Sequence, residues 1–346
     1  MVVFLPILGA PKAKRSRLKL WLRQGLLGWV GLILAIVVGS CIPSTSTVLT
    51  VGLNDWPGYT IALYGQIHDI FERHGLQVEF YFFNSLQDNI RANLRGALDL
   101  SFVSLWDVLQ ADPGQDSPSI LAVVDVSAGA DGIVGLPQYQ TLTDLQGKRV
   151  GCKLGTVSHL ILLEALDAAG MEPLDVDIVD VLNPVALEQL KRGQLDAAVL
   201  WEPDLSQAEA DLGVSRLFST ADVNSLVVDV LATSSDRLRR DPESLQDFLQ
   251  AWLEIVDAAI QTPEAVFTAI APALDQSPEA VTANFQGLKV GDRTMNDRLI
   301  GSGYLQAYLQ ASIDLLQSDQ RHGRSLRTDI SIAQDLWQSL HAPPRP

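Results

Sequence analysis

Side chains able to do chemistry are spread thinly along this chain, and their spacing excludes more than it offers. There are five histidines: His68, His74, His159, His322 and His341. His68 and His74 stand six residues apart, a poor interval for shared ligation on one helical face, and no Cys/His pattern has metal-site spacing, so no metal is expected. Ser158 and His159 are chain neighbours, which says nothing of a triad, because triad partners are matched in space. No Gly-x-Ser-x-Gly, P-loop or dinucleotide fingerprint occurs. Gly151-Cys152-Lys153-Leu154-Gly155-Thr156 comes nearest to a phosphate loop and lacks its Lys-Ser/Thr ending. Neither catalysis nor a cofactor is expected. The chain offers instead a recurring set of hydroxyls, amides, aromatics and acids, each just beyond an apolar run: Asn54, Asp55, Trp56 and Tyr59, then Ser85, then Ser104 with Trp106, then Thr156 and Ser158, then Asn183, then Trp201 and Glu202, with Asp229 at a later strand. Flat apolar walls with a few orienting polar groups suit recognition of a small molecule.

The elements that would position this set alternate strand and helix. Leu49–Leu53 is a β-rich run, followed by a helix from about Ile61 to His74 and an alternating strand over Gln77–Phe83. Ser85 with Asp88, and Ser104 with Asp107, carry the capping-box spacing and flank a strand at Leu98–Val103. The pattern resumes with strands at Ile120–Val126, Arg149–Cys152, Asp177–Val181 and Leu195–Leu200, and helices that end at Gly170 and Gly193. Such βαβ alternation predicts parallel sheets covered by helices, with ligands bound beyond the carboxyl ends of the strands. For any one Ser or Thr an ordinary N-cap is the plainer role, and the site argument rests on the whole set. After Val227–Ala232 the chain reads as helical. Asp241-Pro242-Glu243, Thr262-Pro263-Glu264 and Ser277-Pro278-Glu279 each supply a cap, a proline suited to the first turn and an acid near the positive end of the dipole.

Charge and the N-terminal segment narrow the function class. The 346 residues include 25 Lys+Arg and 41 Asp+Glu, a net charge of −16. Residues 1–41 hold six basic residues and no acid, which leaves 19 basic against 41 acidic residues, or −22, in the remainder. A body so acidic repels phosphate backbones, so nucleic acid is excluded as a partner. The basic head leads into an apolar run, Leu26–Val38, whose 13 residues suit a signal-peptide h-region better than a membrane span. Val38-Gly39-Ser40-Cys41 is similar to a bacterial lipobox, so residues 1–41 are expected to be a lipoprotein signal peptide with Cys41 lipidated, and 42–47 a short tether. An uncleaved anchor over the 18 residues Gly25–Ile42 is the alternative. In either case the body is exported and held at a membrane. Cys152, in an apolar strand, is then a buried thiol without a disulfide partner.

The order of several short segments resembles the substrate-binding proteins of ABC importers for sulfonates, taurine, nitrate and thiamine-pyrimidine precursors. These are Trp56-Pro57-Gly58-Tyr59; Phe71-Glu72-Arg73-His74-Gly75-Leu76-Gln77-Val78-Glu79; Gly96-Ala97-Leu98-Asp99-Leu100-Ser101; Leu145-Gln146-Gly147-Lys148-Arg149-Val150-Gly151 with Gly155-Thr156; Leu190 to Ala198 with Trp201-Glu202-Pro203; and Asp241-Pro242-Glu243. The resemblance covers about residues 48–265. It implies an α/β, two-lobed periplasmic-binding fold of type 2, each lobe a mostly parallel sheet flanked by helices, with extra C-terminal helices. Lobe 1 would comprise 48–125 plus 230–346 and lobe 2 126–229, with ligand between them. It also implies a bacterial, extracytoplasmic, monomeric protein whose partners are a small-molecule ligand, an ABC permease and its ATPase. Enzymes of pyrimidine synthesis share the fold but use a Cys-rich motif and clustered histidines, which this chain lacks. A sensor domain is the other rival. The residues expected to bind ligand are Asn54, Asp55, Trp56, Tyr59, Ser85, Ser104, Thr156, Ser158, Trp201, Glu202 and Asp229. Asp55, Glu202 and Asp229 outnumber Lys153 at the strand ends, and Trp56, Tyr59, Trp106 and Trp201 stand beside them. That balance favours an amine or pyrimidine-like solute, with an alkyl sulfonate, taurine or nitrate as the alternative.

Overall fold

The computed structural model describes residues 47–112, 116–214, 216–223, 227–317 and 326–341. The expected signal peptide, Cys41 and the tether up to residue 46 lie outside them. In chain order the elements are β1 (Thr47–Leu53), α1 (Pro57–Thr60), α2 (Ala62–Ile67), α3 (Ile70–Arg73), β2 (Leu76–Phe82), α4 (Leu86–Leu94), β3 (Leu100–Ser104), α5 (Leu105–Leu109), β4 (Pro118–Ser127), β5 (Asp131–Gly135), β6 (Arg149–Cys152), α6 (Val157–Ala168), β7 (Asp177–Asp180), α7 (Asn183–Lys191), β8 (Ala197–Trp201), α8 (Asp204–Leu212), β9 (Arg216–Ser219) and β10 (Val228–Ser234). The remainder is α9 (Ser235–Arg240), α10 (Pro242–Gln261), α11 (Pro263–Ile270), α12 (Pro278–Gln286), β11 (Leu288–Val290), α13 (Arg293–Gly301), α14 (Tyr304–Gln317), β12 (Ser331–Ile332) and α15 (Gln334–Ser339).

Two sheets result. The first runs β11-β4-β10-β3-β1-β2, with β12 also on β4, and the second runs β7-β6-β8-β5-β9. The βαβ units give parallel pairs, β1 with β2 and β3, and β6 with β7 and β8. The strands next to the crossings run the other way: β10 is antiparallel to β3 and β4, and β5 to β8 and β9. Each sheet is therefore mixed, parallel on one side and antiparallel where the chain passes between sheets. It leaves the first sheet after β4 and returns at β10. At this crossing Ser127 and Thr220 share a hydroxyl hydrogen bond of 2.8 Å, and the Gly129 amide donates to Thr220 Oγ1 at 2.9 Å.

Burial explains the long strands. All ten residues of β4 are buried, as expected of a strand covered on both faces. Beneath the first sheet Phe71 stacks on Phe248 with centroids 5.4 Å apart, and Phe102 meets Trp252 at 4.9 Å. Two tryptophans cross between the layers. Trp106, from α5 beside the first sheet, is buried among Ile133, Val150 and Leu160 of the second. Trp201, at the end of β8, packs against the first sheet's core. Helix α14 also reaches across, lying against α5 and α6.

Some expected elements differ. The single helix expected from Ile61 to His74 is two short ones, α2 and α3, because Asp69 takes a left-handed φ of 53° that no continuous helix accommodates. Strands β5 and β9 stand where the sequence reading has no element, and the C-terminal part is not wholly helical: β11 and β12 extend the sheet at β4. The proline starts all open helices, at Pro242, Pro263 and Pro278. Asp241 and Ser277 accept the capping bonds, whereas Thr262 donates its hydroxyl back to Ala258.

Candidate functional site

A cavity with room for water centres of about 50 Å³ lies at the carboxyl ends of both sets of strands. By volume it holds roughly three or four waters, or a solute of similar size. One side is Asn54, Trp56, Tyr59, Asn84, Ser85, Leu86, Asp107, Val227 and Asp229; the other is Asp131, Lys153, Thr156, Val157, Leu182 and Trp201.

The first side is set by the turn after β1. The Asn54 side chain accepts from the Trp56 amide at 3.1 Å, an Asx turn that starts α1. The Trp56 indole N–H donates to Asp125 at 3.2 Å, and the Tyr59 hydroxyl to Asp229 Oδ1 at 2.7 Å. Asp125 and Asp229 face each other across the antiparallel β4–β10 pair. Burial raises both carboxyls, Asp125 to about 7, and each also feels the other; burial likewise holds the Tyr59 hydroxyl well above its ordinary value. A Cβ on Gly58 would fall 1.9 Å from Asp125 Oδ2, so α1 reaches this carboxyl only with glycine there. Ser85 caps α4, accepting from the Asp88 amide at 3.3 Å.

Asp107 and Asp131 were not legible as site residues. Ser104 ends β3 and caps α5; its hydroxyl accepts from the Asp107 amide at 2.9 Å and donates to Asp107 Oδ2 at 2.6 Å. Asp107 Oδ1 has no partner among the described residues. Asp131 opens β5, is 2% exposed, and leaves Oδ2 likewise unpartnered. Burial pushes Asp107 up to about 7 against the pull of Ser104 and Arg91, and Asp131 up to about 8 against the Ser127 hydroxyl. No three His, Cys, Asp or Glu among the described residues are placed to hold a metal ion.

The opposite side carries the positive features. Thr156 sits at the N-cap of α6 yet does not cap it: its hydroxyl donates to the Lys153 carbonyl at 2.8 Å. Lys153 pairs with Asp180 at 2.9 Å. Gly155, at φ +74°, accepts at its carbonyl from the Gln87 side chain at 2.5 Å, a bond between the two sides.

Of the eleven residues expected in the site, Asn54, Trp56, Tyr59, Ser85, Thr156, Trp201 and Asp229 line the cavity. Four do not. Ser104 is buried behind Asp107 and orients it. Ser158 is buried in the first turn of α6. Glu202 is occupied elsewhere, pairing with Arg216 at 3.1 Å and accepting from the Ser206 amide and hydroxyl. Asp55 is exposed beside the cavity; crowding by protein raises its carboxyl, while a bond from Trp201 pulls the other way. Trp106 is core. Asn84, Leu86, Asp107, Asp131, Val157, Leu182 and Val227 were missed. Asp107 had a signal, since it is the third residue of a capping box, but that signal named a structural role.

Two sheets joined by crossing segments, with a small polar and aromatic cavity at their strand ends, define a periplasmic binding protein of the ABC-importer type. The NMT1/THI5-like family model matches residues 56–266, and the chain belongs to that family. It is 26% identical over 239 residues to a candidate ABC transporter periplasmic binding protein of Brachyspira hyodysenteriae, covering 65% of this chain and 69% of that one. It is 23% identical to the taurine-binding periplasmic protein of Escherichia coli, over 55% of this chain and 60% of the relative. Among solved structures, the periplasmic aliphatic sulphonate binding protein of Escherichia coli superposes with a TM-score of 0.67 at 19% identity, over 85% of this chain and 99% of that one. The periplasmic nitrate-binding protein of Synechocystis PCC 6803 gives 0.64 at 16%, over 85% and 88%. These likenesses extend the resemblance read from the sequence to the whole fold.

Proposed function

We propose that this chain is an extracytoplasmic solute-binding lipoprotein that holds a small polar organic molecule between two lobes, 48–125 plus 230–346 and 126–229, and delivers it unchanged to an ABC permease and its ATPase. Cys41 carries the lipid anchor. The observation that carries the reading is the cavity: small, walled by Trp56, Tyr59 and Trp201, and lined from both sheets by groups that can orient a polar solute. Its acids, Asp107, Asp131 and Asp229, outnumber the single lysine, which favours an amine or pyrimidine-like solute. A second reading rests on the other wall. Thr156, Lys153 and the start of α6 can hold an oxyanion, and relatives are named for taurine and aliphatic sulfonates. Melting of the full chain against amines, aminopyrimidines, alkyl sulfonates and nitrate tests both. A shift by amines or aminopyrimidines supports the first reading, and a shift confined to sulfonates or nitrate replaces it with the second. Recovery of the bound solute chemically altered would overturn the carrier role.

A further inference from the structure

We infer that the solute carries a primary ammonium group, and that this group sits between Asp107 of α5 and Asp131 of β5, so that one nitrogen joins the two sheets. The inference rests on the solute-binding reading above and names the class of solute. Both carboxyls line the cavity, and Asp107 and Asp131 are 1% and 2% exposed. Each has one oxygen already satisfied, by Ser104 and by Ser127. Each has its other oxygen, Asp107 Oδ1 and Asp131 Oδ2, buried without a partner among the described residues. Two buried acceptors lacking donors are costly, and a buried carboxylate more so. An ammonium brings three N–H donors and a positive charge, enough to bond both oxygens with one hydrogen left for a third acceptor. A hydroxyl offers one donor and cannot serve both.

The position of the pair adds a consequence. Asp107 stands on a helix of the first sheet's layer and Asp131 begins a strand of the second, just past the crossing at Ser127–Gly129. A nitrogen bonded to only one of them gains half the contacts. Recognition of the ammonium and the approach of the two sides are therefore one event, and a solute lacking it loses closure as well as a contact.

The test compares matched twins on the full chain by calorimetry and thermal shift: taurine with isethionate, and 3-aminopropanol with 1,3-propanediol. Wild type, Asp107→Asn and Asp131→Asn are measured, each variant's melting without solute serving as the folding check. The expected result is that the amine of at least one pair binds tenfold or more tightly than its hydroxyl twin, and that each variant removes most of this preference. Twins that bind equally, or a preference that survives in both variants, overturn the assignment. So does binding by no amine when a mixed small-metabolite fraction still shifts melting, an outcome that leaves the solute-binding reading standing. If that fraction has no effect either, the solute-binding reading falls and the ammonium site with it.

Discussion

At the scale of single residues, the acids divide into those already satisfied and those that are not. Glu202 is of the first kind. Its 4% exposure and its bonds to Arg216 and Ser206 make it a brace between β8, α8 and β9. Glu202→Gln should destabilise the fold by about 1–3 kcal/mol, the usual cost of breaking a buried charged hydrogen-bond set, and leave solute affinity nearly unchanged. Urea unfolding together with calorimetry separates the two effects, and a loss of affinity at unaltered stability would return Glu202 to the site. Asp131 is of the second kind. Its carboxyl is raised to about 8 by burial, so between pH 4 and pH 8 the folded chain holds a proton there that the unfolded chain has released. Stability must then fall as pH climbs through that window, since folding weakens with pH wherever the folded state binds more protons. Asp107, raised to about 7, acts in the same direction. Without solute, the melting temperature should be higher at pH 5.5 than at pH 8. Asp131→Asn should flatten that slope and raise melting at pH 8 by at least about 2 °C. An unchanged slope in the variant would mean that Asp131 is solvated.

At the scale of elements, the turn from β6 into α6 is the most constrained piece of the site. Gly155 holds a φ of +74°, and a Cβ there would meet Gln110 Oε1 at 2.9 Å while its carbonyl accepts from Gln87. Gly155→Ala should cost about 1–3 kcal/mol of stability through backbone strain and crowding, and should weaken solute binding by displacing Thr156 and Val157. Chemical denaturation and calorimetry on the one variant measure both; a variant as stable as wild type would show that the turn relaxes freely. The helix starts were legible here because caps are local: Ser85, Ser104, Asp241 and Ser277 all bond the amides their spacing indicates. Thr156 departed from that rule, and its hydroxyl turns to Lys153 instead.

At the scale of the whole molecule, the crossings after β4 and before β10 supply a place to bend, and the cavity supplies the reason to close. A solute at 100 times its Kd should stabilise the chain by about 2.7 kcal/mol, a melting shift on the order of 5 °C for a chain of this size. X-ray scattering should show a smaller radius of gyration with solute than without, and identical curves would count against closure. Trp106 and Trp201, each packed into the other layer, bound how far the two sides can part. Attachment is a separate matter. Mass spectrometry should find Cys41 as the acylated mature N-terminus, and an intact unmodified peptide across residues 35–45 would refute the lipoprotein assignment.

The sequence by itself determined the alternation of strand and helix, the helix starts and the family, because each is written in neighbouring residues: periodicity, caps and motif order all act within a few positions. Seven of the residues it singles out at strand ends line the cavity, since strand ends converge in any such sheet. Only the tertiary structure decided which acids the cavity receives. Asp107 reads locally as part of a cap and Asp131 carries no local signal, whereas Glu202 and Asp55 read as site acids. Which of them loses solvent, and which finds Arg216, depends on strands that pair across 82 to 116 residues of chain, and no local pattern records that.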